Sequence, residues 1–443
     1  MSLPDPNLAT ERLPLWWDQV EWGEPGPRLE TSLETDVAVI GGGYTGLSAA
    51  YHLAREGVKV VVLESERIGF GASGRNGGII GALHPGRFKR EMRRFGVEGF
   101  RRACEIGRES VQIVEDLVRE NRIECDYERS GEMCLAHSRR HLPTLKESAR
   151  VLSDLGYPCE YFDQAALREQ MNAPSYFGGF LDPQSAHVHP GKYVHGLGSV
   201  VRSLGVPIYE RSSVSSIAAA RSRGGGRNAR GIVIRTEGGE IRAHEAIVAT
   251  NGYTGNLHRF FEGRYYPLRS YVVATEPLSD ADWESIGWKS RCSCYDTKIM
   301  LYYFRPTHDR RIVFGGRADY GEWENRGMYD QLEEAIGWVF PSLRGRLRIS
   351  HRWYGLLGYT FDRSPRIDRL KDLPQVWYSM GYSGHGVGVA TLCGKILAGN
   401  LLGRHDYDDV PFNRSPLRRF PLYSLRKLTA PAYLAYCRLQ DAL

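Results

Sequence analysis

The feature that most constrains this chain is a glycine-rich turn that follows a short apolar run. Residues 37–40 are apolar, and this run is long enough for one buried parallel strand but too short for a helix. Gly41, Gly43 and Gly46 follow in G-x-G-x-x-G spacing. The first glycine permits a sharp turn, the second lets the backbone approach a pyrophosphate, and the third lets the next helix pack on the sheet.

The residues after the turn complete a β-α-β pattern. Helical spacing predicts a helix over residues 44–55 with Gly57 as its stop, and a second strand over 58–63 that ends in Glu64. A carboxylate about 20 residues beyond such glycines accepts hydrogen bonds from ribose hydroxyls, and an acid there argues against a 2′-phosphate. Strand, turn, helix, strand and acid in this order predict a dinucleotide site rather than a simple tight turn.

A second glycine-rich stretch, residues 69–78 (GFGASGRNGG), indicates which dinucleotide binds. Its glycines leave backbone amides open to a large planar or anionic ligand, and nicotinamide enzymes have no need of such a loop. The candidate cofactor residues in this stretch are Ser73, Arg75, Asn76, Gly77 and Gly78.

With these motifs the chain resembles the FAD-dependent amine and amino-acid oxidases of the D-amino-acid oxidase/glycine oxidase superfamily. It is most similar to the γ-glutamylputrescine oxidase branch, in which G-A-S-G-R-N-G-G follows the second strand almost letter for letter. The resemblance resumes at residues 249–252 (ATNG) and 381–388 (GYSGHGVG), so it spans roughly residues 30–405.

The resemblance implies an α/β fold in which a discontinuous Rossmann-type FAD-binding domain is joined to an α+β substrate domain built on an antiparallel sheet. The implied segments are an N-terminal arm (1–33), the FAD-binding domain (34–85, 190–252 and 356–404), the substrate domain (86–189 and 253–355) and a C-terminal tail (405–443).

The resemblance also adds cofactor residues outside the first unit. Val214 belongs to a strand pair expected against the adenine, and Thr250, Asn251 and Gly252 form a loop that crosses near the cofactor. A second open glycine turn with Gly384, His385, Gly386 and Val387 begins a helix predicted over 387–402. Its positive dipole end would stabilise the negative charge of a reduced flavin. His385 is expected either to add a hydrogen bond or only to shape the turn.

Amine oxidation by a flavin needs little acid or base machinery, because the cofactor carries the difficult step. The neutral amine gives hydride to the flavin, and water hydrolyses the resulting imine to an aldehyde. A dry aromatic pocket favours the neutral amine by desolvation. The candidate catalytic residues are His385, Tyr302, Trp353 and Tyr359, and each of the three aromatic residues could equally be sheet core.

One departure from the superfamily bears on the substrate. Amino-acid oxidases of this type carry an Arg in a G-L-R-P-x-T-x-D motif that forks the substrate carboxylate. The matching run here, residues 355–362 (GLLGYTFD), has Leu357 at that position. We therefore expect a primary or secondary amine of the γ-glutamylputrescine type, with O2 as acceptor and H2O2 as product. Arg75, Arg305 and Arg317 could supply another clamp, which keeps an amino-acid oxidase or dehydrogenase as the alternative.

In the sarcosine-oxidase branch a Cys links the flavin covalently and a Lys promotes reaction with oxygen. The corresponding positions here are Gly355 and about Val313. This implies noncovalent FAD and leaves O2 or another electron acceptor open. A nicotinamide-linked reductase would show a second strand, G-x-G-x-x-G turn and helix, often with a redox Cys pair. The spacing recurs at Gly69, Gly71 and Gly74, but no C-x-x-C is present. A non-catalytic flavin-binding or tRNA-associated module, which would need a basic aromatic surface, is the alternative from another class.

Composition limits location and partners. Apolar runs stay far below the ~18–20 residues of a membrane span, and the N-terminus lacks a signal-peptide pattern, so we expect a cytoplasmic monomer or homodimer. The net charge of +6 is modest, and the basic run at 87–102 is interpreted as a solvated helix face rather than a nucleic-acid site.

His187 and His189 would share one strand face, but with no third ligand we expect no metal. The tail, residues 417–443, has leucines at helical spacing that pack on the body or a second subunit, or lie on a membrane surface.

Overall fold

The computed structural model describes residues 13–83, 88–220, 231–320 and 324–442. Numbered in chain order, the strands of these residues are β1 (Leu33–Ile40), β2 (Val60–Leu63), β3 (Ile79–Ile80), β4 (Glu132–Leu135), β5 (Glu160–Asp163), β6 (Gly178–Asp182), β7 (Ala186–His187), β8 (Ile208–Tyr209), β9 (Val214–Ala219), β10 (Ile232–Thr236), β11 (Glu240–Val248), β12 (Tyr266–Thr275), β13 (Ser293–Asp296), β14 (Tyr302–Pro306), β15 (Ile312–Asp319), β16 (Ile349–Tyr359), β17 (Arg366–Arg369) and β18 (Val376–Met380).

The helices of the same residues are α1 (Leu15–Asp18), α2 (Tyr44–Arg55), α3 (Phe88–Glu120), α4 (Leu142–Asp154), α5 (Gln164–Gln170), α6 (Pro190–Ser203), α7 (Asp280–Ile286), α8 (Gly327–Val339), α9 (Gly386–Leu401) and α10 (Arg426–Ala442). The predicted helices over 44–55 and 387–402 are confirmed to within a residue at each end. Helical spacing over 142–155 and 328–339 in the sequence likewise agrees with α4 and α8. The three glycines at 224–226, which predict a turn, lie outside the described residues.

The first sheet has the order β17-β18-β11-β1-β2-β8, with β9 and β10 added to β11 as an antiparallel meander. β1 is parallel to both β11 and β2, and β18 is parallel to β11. Alternate side chains of β1 face opposite layers, as a two-residue period requires. Val37 and Val39 pack with α2, α6 and α9, whereas Ala38 and Ile40 pack with β9 and β10.

The β-α-β unit forms as predicted, with one shift. Gly57 ends α2 at a φ of 76°, the left-handed region that glycine adopts most easily. The amide of Val58 then donates to the carbonyl of Leu53 at 3.2 Å. Because this turn uses Val58, β2 begins at Val60 instead of the predicted residue 58.

The second sheet has the order β16-β12-β15-β14-β13-β4-β6-β5 and is antiparallel except for the pair β13 and β4. One face packs with α5, α7 and α8 around a core that includes Phe304 and Phe314. The opposite face lies toward the glycine-rich stretch at 69–78, because Tyr303 and Arg305 contact that stretch. The α/β fold class with an antiparallel second sheet is confirmed, and the exact domain boundaries remain a prediction.

Two segments outside the sheets pack on this framework. In the N-terminal arm, Trp16 is 1% exposed and Trp17 stacks on Trp22 at 4.4 Å between ring centroids. The helix predicted around residues 103–118 is the second part of α3, which is interrupted at Gly96 and packs against α9. The basic run on α3 carries acids as well, since Arg102 pairs with Glu109 at 2.8 Å.

Candidate cofactor and substrate cavities

The glycine turn joins β1 to α2 with very little space around it. Gly41 has a φ of 112°, and a side-chain carbon there would lie 2.8 Å from the carbonyl oxygen of Ala249. A side-chain carbon at Gly46 would lie 1.9 Å from the carbonyl oxygen of Gly41, so only glycine allows α2 to approach the turn this closely. Gly43 faces a cavity next to this turn.

This cavity, which we call the dinucleotide cavity, has a volume of about 430 Å³. It runs from residues 212–215 and Glu64, past the glycine turn, to the loops at 69–76 and 382–386. Ten of the predicted cofactor residues line it: Gly41, Gly43, Glu64, Ser73, Asn76, Val214, Thr250, Asn251, Gly384 and Gly386.

The other predicted cofactor residues divide into two groups. Arg75, Gly77, His385 and Val387 line a second cavity that adjoins the first. Gly46, Gly78 and Gly252 line neither and instead let backbones meet. A side-chain carbon at Gly78 would lie 2.2 Å from the carbonyl oxygen of Val188, and one at Gly252 would lie 2.8 Å from that of Leu356. These three glycines therefore allow neighbouring backbone segments to pack closely around the cavities, without lining them.

Glu64 is anchored at the end of β2 by its own surroundings. One carboxylate oxygen accepts from the amide of Gly42 at 2.7 Å, and the other accepts from the amide of Glu66 at 3.0 Å and from the hydroxyl of Ser65 at 3.1 Å. Burial raises the pKa of this carboxyl, against the lowering effect of the amides of Glu66 and Gly42. The carboxylate is thus held in a fixed orientation at the cavity wall.

The loop at 69–78 is held together by Asn76. Its amide nitrogen donates to the carbonyls of Ala72 and Ser73, and its oxygen accepts from the amide of Gly78 at 2.7 Å. The hydroxyl of Ser73 accepts from the amide of Tyr44 at 3.0 Å, which connects the loop to the first turn of α2. The loop and the helix N-terminus therefore form one wall.

Arg305 supports the same loop from beneath and is 3% exposed. Its guanidinium donates to the carbonyls of Gly77 at 2.6 Å, Val188 at 2.7 Å and Pro306 at 3.0 Å, and it lies over the ring of Trp16. Burial lowers the pKa of Arg305 to about 10. Because its donors are used on backbone carbonyls, the prediction that Arg305 could clamp a substrate carboxylate is wrong.

Trp353 has a similar supporting position. Its indole nitrogen donates to the carbonyl of Arg75 at 2.8 Å, and its ring packs in a core cluster with Val313. Neither residue lines a cavity. The structure therefore places neither Trp353 nor Val313 in the wall of these two cavities, so Trp353 is not positioned to touch a substrate there.

The second cavity, which we call the substrate cavity, has a volume of about 260 Å³. It shares Ala72, Asn76, Leu357, Ser383, Gly384 and Gly386 with the dinucleotide cavity. On β16, alternate residues Gly355, Leu357 and Tyr359 line it, as expected for one face of a strand. The two cavities meet at Leu357.

The same alternation corrects one catalytic candidate. Tyr302 is 4% exposed and packs in the core on the other face of the sheet, with its ring 5.3 Å from that of Phe314. The next residue, Tyr303, lines the substrate cavity, and a side-chain carbon at Gly77 would lie 2.7 Å from its ring. Of the aromatic candidates in the catalytic set, only Tyr359 lines this cavity.

His385 stands at the N-terminus of α9 and lines the substrate cavity. Its amide donates to the carbonyl of Tyr382 at 3.0 Å. The preceding Ser383 and Gly384 have φ values of 50° and 101°, so the chain turns sharply where the two cavities join. The helix thus begins at the wall that both cavities share.

Charged groups in the substrate cavity are few. Among the described residues that line it, the formal charges belong to Arg75 and Glu132, beside His385. Arg75 donates through Nε to the carbonyl of Phe70 at 2.8 Å and lies over that ring. The side chain of Arg317 lies outside the described part of the chain. Glu132 was not among the predicted site residues, although an acid at the start of the apolar strand β4 is a visible signal in the sequence.

The C-terminal helix α10 closes one side of the substrate cavity with Tyr433, Leu434 and Cys437. Asp441 accepts from the amides of Ile299 at 2.6 Å and Met300 at 2.8 Å, which attaches the end of the helix to the second sheet. The tail therefore packs on the body with this face, as one of the predictions stated. Leu422, Leu425, Leu428 and Leu439 point outward, Leu428 being 72% exposed.

His187 and His189 lie away from both cavities. His187 bonds to Ser130 at 2.9 Å, and His189 accepts from the amide of Lys192 at 3.1 Å. Burial lowers the pKa of His187 to about 4 and that of His189 to about 3. No cluster suited to a metal ion occurs in the described ranges, and none of the helices described there is long and apolar enough to cross a bilayer.

Comparisons with known proteins agree with this architecture. A family model described as FAD dependent oxidoreductase matches residues 36–399. The chain is 33% identical over 424 residues to the gamma-glutamylputrescine oxidoreductase of Escherichia coli strain K12, which covers 95% of this chain and 96% of that protein. It is 25% identical to the glycine oxidase of Bacillus licheniformis, covering 83% and 93%. The crystal structure of glycine oxidase from Geobacillus kaustophilus superposes with a TM-score of 0.74 at 19% identity, covering 88% of this chain and 99% of that one.

Proposed function

The chain belongs to the D-amino-acid oxidase family of FAD-dependent oxidoreductases, and from that premise we propose that it oxidises a C–N bond of a primary or secondary amine. The substrate is of the γ-glutamylputrescine type, its reacting carbon carries no carboxylate, and the imine product hydrolyses to an aldehyde. O2 accepts the electrons and is reduced to H2O2.

FAD is the cofactor of this family, and the dinucleotide cavity fits it. Glu64 would hold the ribose, the open turn at Gly43 with the N-terminus of α2 would hold the pyrophosphate, and Val214 would lie against the adenine. When bound, the flavin supplies the two-electron oxidation of the substrate C–H bond. The absence of a Cys at Gly355, which lines the adjoining cavity, supports noncovalent attachment.

The observation that carries the amine assignment is the position of Leu357. It lies where the two cavities meet. By the motif at residues 355–362, it also has the sequence position of the carboxylate-binding Arg of amino-acid oxidases. An apolar side chain cannot form the bidentate bonds that a carboxylate requires. Arg305 does not replace that clamp, because it is committed to the carbonyls of Gly77 and Val188. An α-carboxylate at this junction would be desolvated without a partner, which is costly.

The remaining walls favour a neutral amine. Tyr303, Tyr359, Leu268, Leu301 and Tyr433 contribute mostly apolar surface. Burial in such surroundings disfavours the charged form of a bound amine and so supports loss of its extra proton. A primary amine with a solution pKa near 10 is less than about 1% neutral at pH 7, so the reaction rate should rise with pH until the bound amine has titrated.

One observation favours an amino-acid substrate as a second candidate. Arg75 lines the substrate cavity, and a side-chain carbon at Gly355 would lie 3.2 Å from its Cβ. A carboxylate bound there would be compatible with the similarity to glycine oxidase. An amino-acid oxidase or dehydrogenase is therefore the function to test against.

The test is anaerobic bleaching of the flavin by a panel of substrates at equal concentrations. γ-Glutamylputrescine and simple alkylamines should reduce the flavin faster than glycine, sarcosine, D-alanine or pipecolate, and an aldehyde should be trapped as product. Faster reduction by the amino acids would overturn the amine assignment. Readmission of air then shows whether O2 is the electron acceptor. An oxidase regains its yellow colour and forms H2O2, whereas a dehydrogenase regains it only when another electron acceptor is added.

A further inference from the structure

Glu132 is a buried carboxylate that faces the substrate cavity. It begins β4, lines the cavity and is 7% exposed. In the described part of the chain its carboxylate has neither a hydrogen bond nor an ion pair. Buried carboxylates are almost always paired, because an unpaired charge loses its hydration without compensation. Among the described residues Glu132 is therefore an exception, a buried carboxylate that is open to a ligand in the cavity.

The structure leaves room for this carboxylate at one specific place. A side-chain carbon at Gly81 would lie only 2.4 Å from Oε2 of Glu132. Gly81 follows β3 and lines the same cavity, as do Gly77 and Ile79 earlier in this segment. The carboxylate thus occupies the space that a side chain at Gly81 would need. The carboxylate therefore lies beside Gly81, a few residues after the glycine-rich stretch at 69–78.

A neighbouring acid shows how differently this chain treats a carboxylate that serves only the fold. Asp182 stands opposite Glu132 in the register of β4 and β6 and is 2% exposed. It accepts from the hydroxyl of Ser185 at 2.7 Å and from the amide of Gln184 at 3.0 Å, and it does not line the cavity. Asp182 is satisfied within the protein, whereas Glu132 is not.

Burial raises the pKa of Glu132 to about 8, and the nearby acidic groups Asp182 and Cys292 add to the increase. The titratable groups that face Glu132 are Asp182 on β6, Cys292 and Cys294 at and before β13, and Cys134 on β4 itself. None of them carries a positive charge, and residues 79–81 contribute no charged side chain. A cation that enters the cavity would relieve this unfavourable environment.

We propose that Glu132 is the cation-binding residue of the substrate cavity and that it binds the incoming amine in its ammonium form, before the amine loses its extra proton and is oxidised as the neutral base. This inference rests on the proposed function and deepens it by assigning the chemistry that selects amines. An ammonium group offers three donors to a carboxylate that lacks any, and its alkyl stem would lie along Leu301 and Met300. Substrates with a carboxylate at the same position would be repelled by Glu132.

The pH dependence of binding has a defined sign. In the empty cavity Glu132 holds its proton below pH 8 and must release it to pair with an ammonium group. Affinity for a cation should therefore fall by up to about tenfold for each pH unit below 8, provided that the ligand remains charged. Above pH 8 the affinity should level off until the amine itself loses its proton near pH 10.

The test uses tert-butylamine as the probe, because its nitrogen-bearing carbon has no hydrogen and cannot be oxidised. tert-Butanol serves as the neutral ligand of the same shape. Calorimetric titration of the FAD-loaded enzyme between pH 6 and 9 measures both affinities. The wild type should prefer the amine by roughly 10- to 100-fold at pH 8.5, the range of a hydrogen bond to a charged group. That preference should shrink as the pH falls.

Three variants make the test specific. Glu132→Gln keeps the shape and should bind both ligands equally at every pH. Glu132→Asp keeps the charge and should retain the pH dependence at reduced affinity. Asp182→Asn removes the neighbouring acid that does not face the cavity and should keep the preference for the amine. Retention of the preference and its pH dependence by Glu132→Gln would overturn the inference.

Failure of this inference is distinguishable from failure of the proposed function, because binding is measured without turnover. If amino acids reduce the flavin faster than amines do, while Glu132→Gln loses the preference for tert-butylamine over tert-butanol, the proposed function fails and the cation site is supported. If amines reduce the flavin faster than amino acids do, while Glu132→Gln retains that preference, the cation site fails and the proposed function is supported.

Discussion

Replacement of Arg305 tests most sharply whether this residue supports the loop at 69–78 or binds a substrate carboxylate. Its three hydrogen bonds reach carbonyls on three separate segments, at Gly77, Val188 and Pro306. Replacing Arg305 by Met keeps an unbranched apolar stem but leaves these carbonyls unsatisfied in a buried place. Leaving a buried hydrogen-bond acceptor unsatisfied typically costs about 1–3 kcal/mol per group. If about 3 kcal/mol of this stabilises the loop in its cofactor-binding form, the Kd for FAD should rise by roughly 100-fold.

The assay is fluorescence titration of the apoprotein with FAD, together with thermal unfolding of the holoenzyme. Arg310→Met is the matched control, since Arg310 lies five residues away, is about half exposed and pairs with Asp280 on the surface. The control should change stability by no more than about 0.5 kcal/mol. Arg305→Lys should fall between the wild type and Arg305→Met. Native FAD affinity in Arg305→Met, combined with a raised KM for a carboxylate-bearing substrate, would refute the supporting role.

Four further predictions concern the cofactor and the tail. Glu64→Ala should weaken FAD binding by about 1.5–3 kcal/mol through lost ribose hydrogen bonds, measured by the same titration; an unchanged Kd would remove Glu64 from the site. Acid precipitation should release intact FAD into the supernatant, and flavin retained in the pellet would contradict noncovalent attachment. Asp441→Ala should free the amides of Ile299 and Met300, loosen α10 and raise KM for the amine with FAD content unchanged; an unchanged KM would argue against α10 as a wall of the site. If the outer face of α10 binds membranes, deletion of residues 426–443 should abolish sedimentation with anionic vesicles at physiological salt.

The sequence predicted the elements whose signals are local. The unit β1-α2-β2 depends on glycines, an apolar run and an acid that are close together in the chain, and it forms as expected. The glycine turn before α9 is of the same kind. Such patterns are reliable because each residue acts on its immediate backbone neighbours.

The errors arose where the outcome depends on distant partners. Both faces of β14 are buried, one on the core with Phe314 and one on the loop at 69–78, so alternation alone did not show that Tyr303 rather than Tyr302 faces the cavity. The bond from Arg305 to Gly77 spans 228 positions of sequence. Glu132 was visible as an acid in a strand, but its lack of a partner is a property of the folded protein alone.

The tail shows an intermediate case. Leu422, Leu425 and Leu428 have helical spacing, but the first two lie before α10, which covers residues 426–442, and Leu422 has a φ of 55°. The residues of α10 that line the substrate cavity include Tyr433 and Cys437. This packed face could be recognised only after the second sheet had placed Ile299 and Met300 beside Asp441.

The central claim, that Leu357 makes this an enzyme for amines without a neighbouring carboxylate, is tested most directly by one ratio. Butylamine and norvaline differ only by the carboxylate on the reacting carbon, so their rates of anaerobic flavin reduction in stopped flow isolate that group. Wild type should be reduced at least tenfold faster by butylamine than by either enantiomer of norvaline. Leu357→Arg should reverse or abolish the difference, because it restores a fork for the carboxylate. A wild-type enzyme that is reduced faster by norvaline, with a ratio that Leu357→Arg leaves unchanged, would contradict the account.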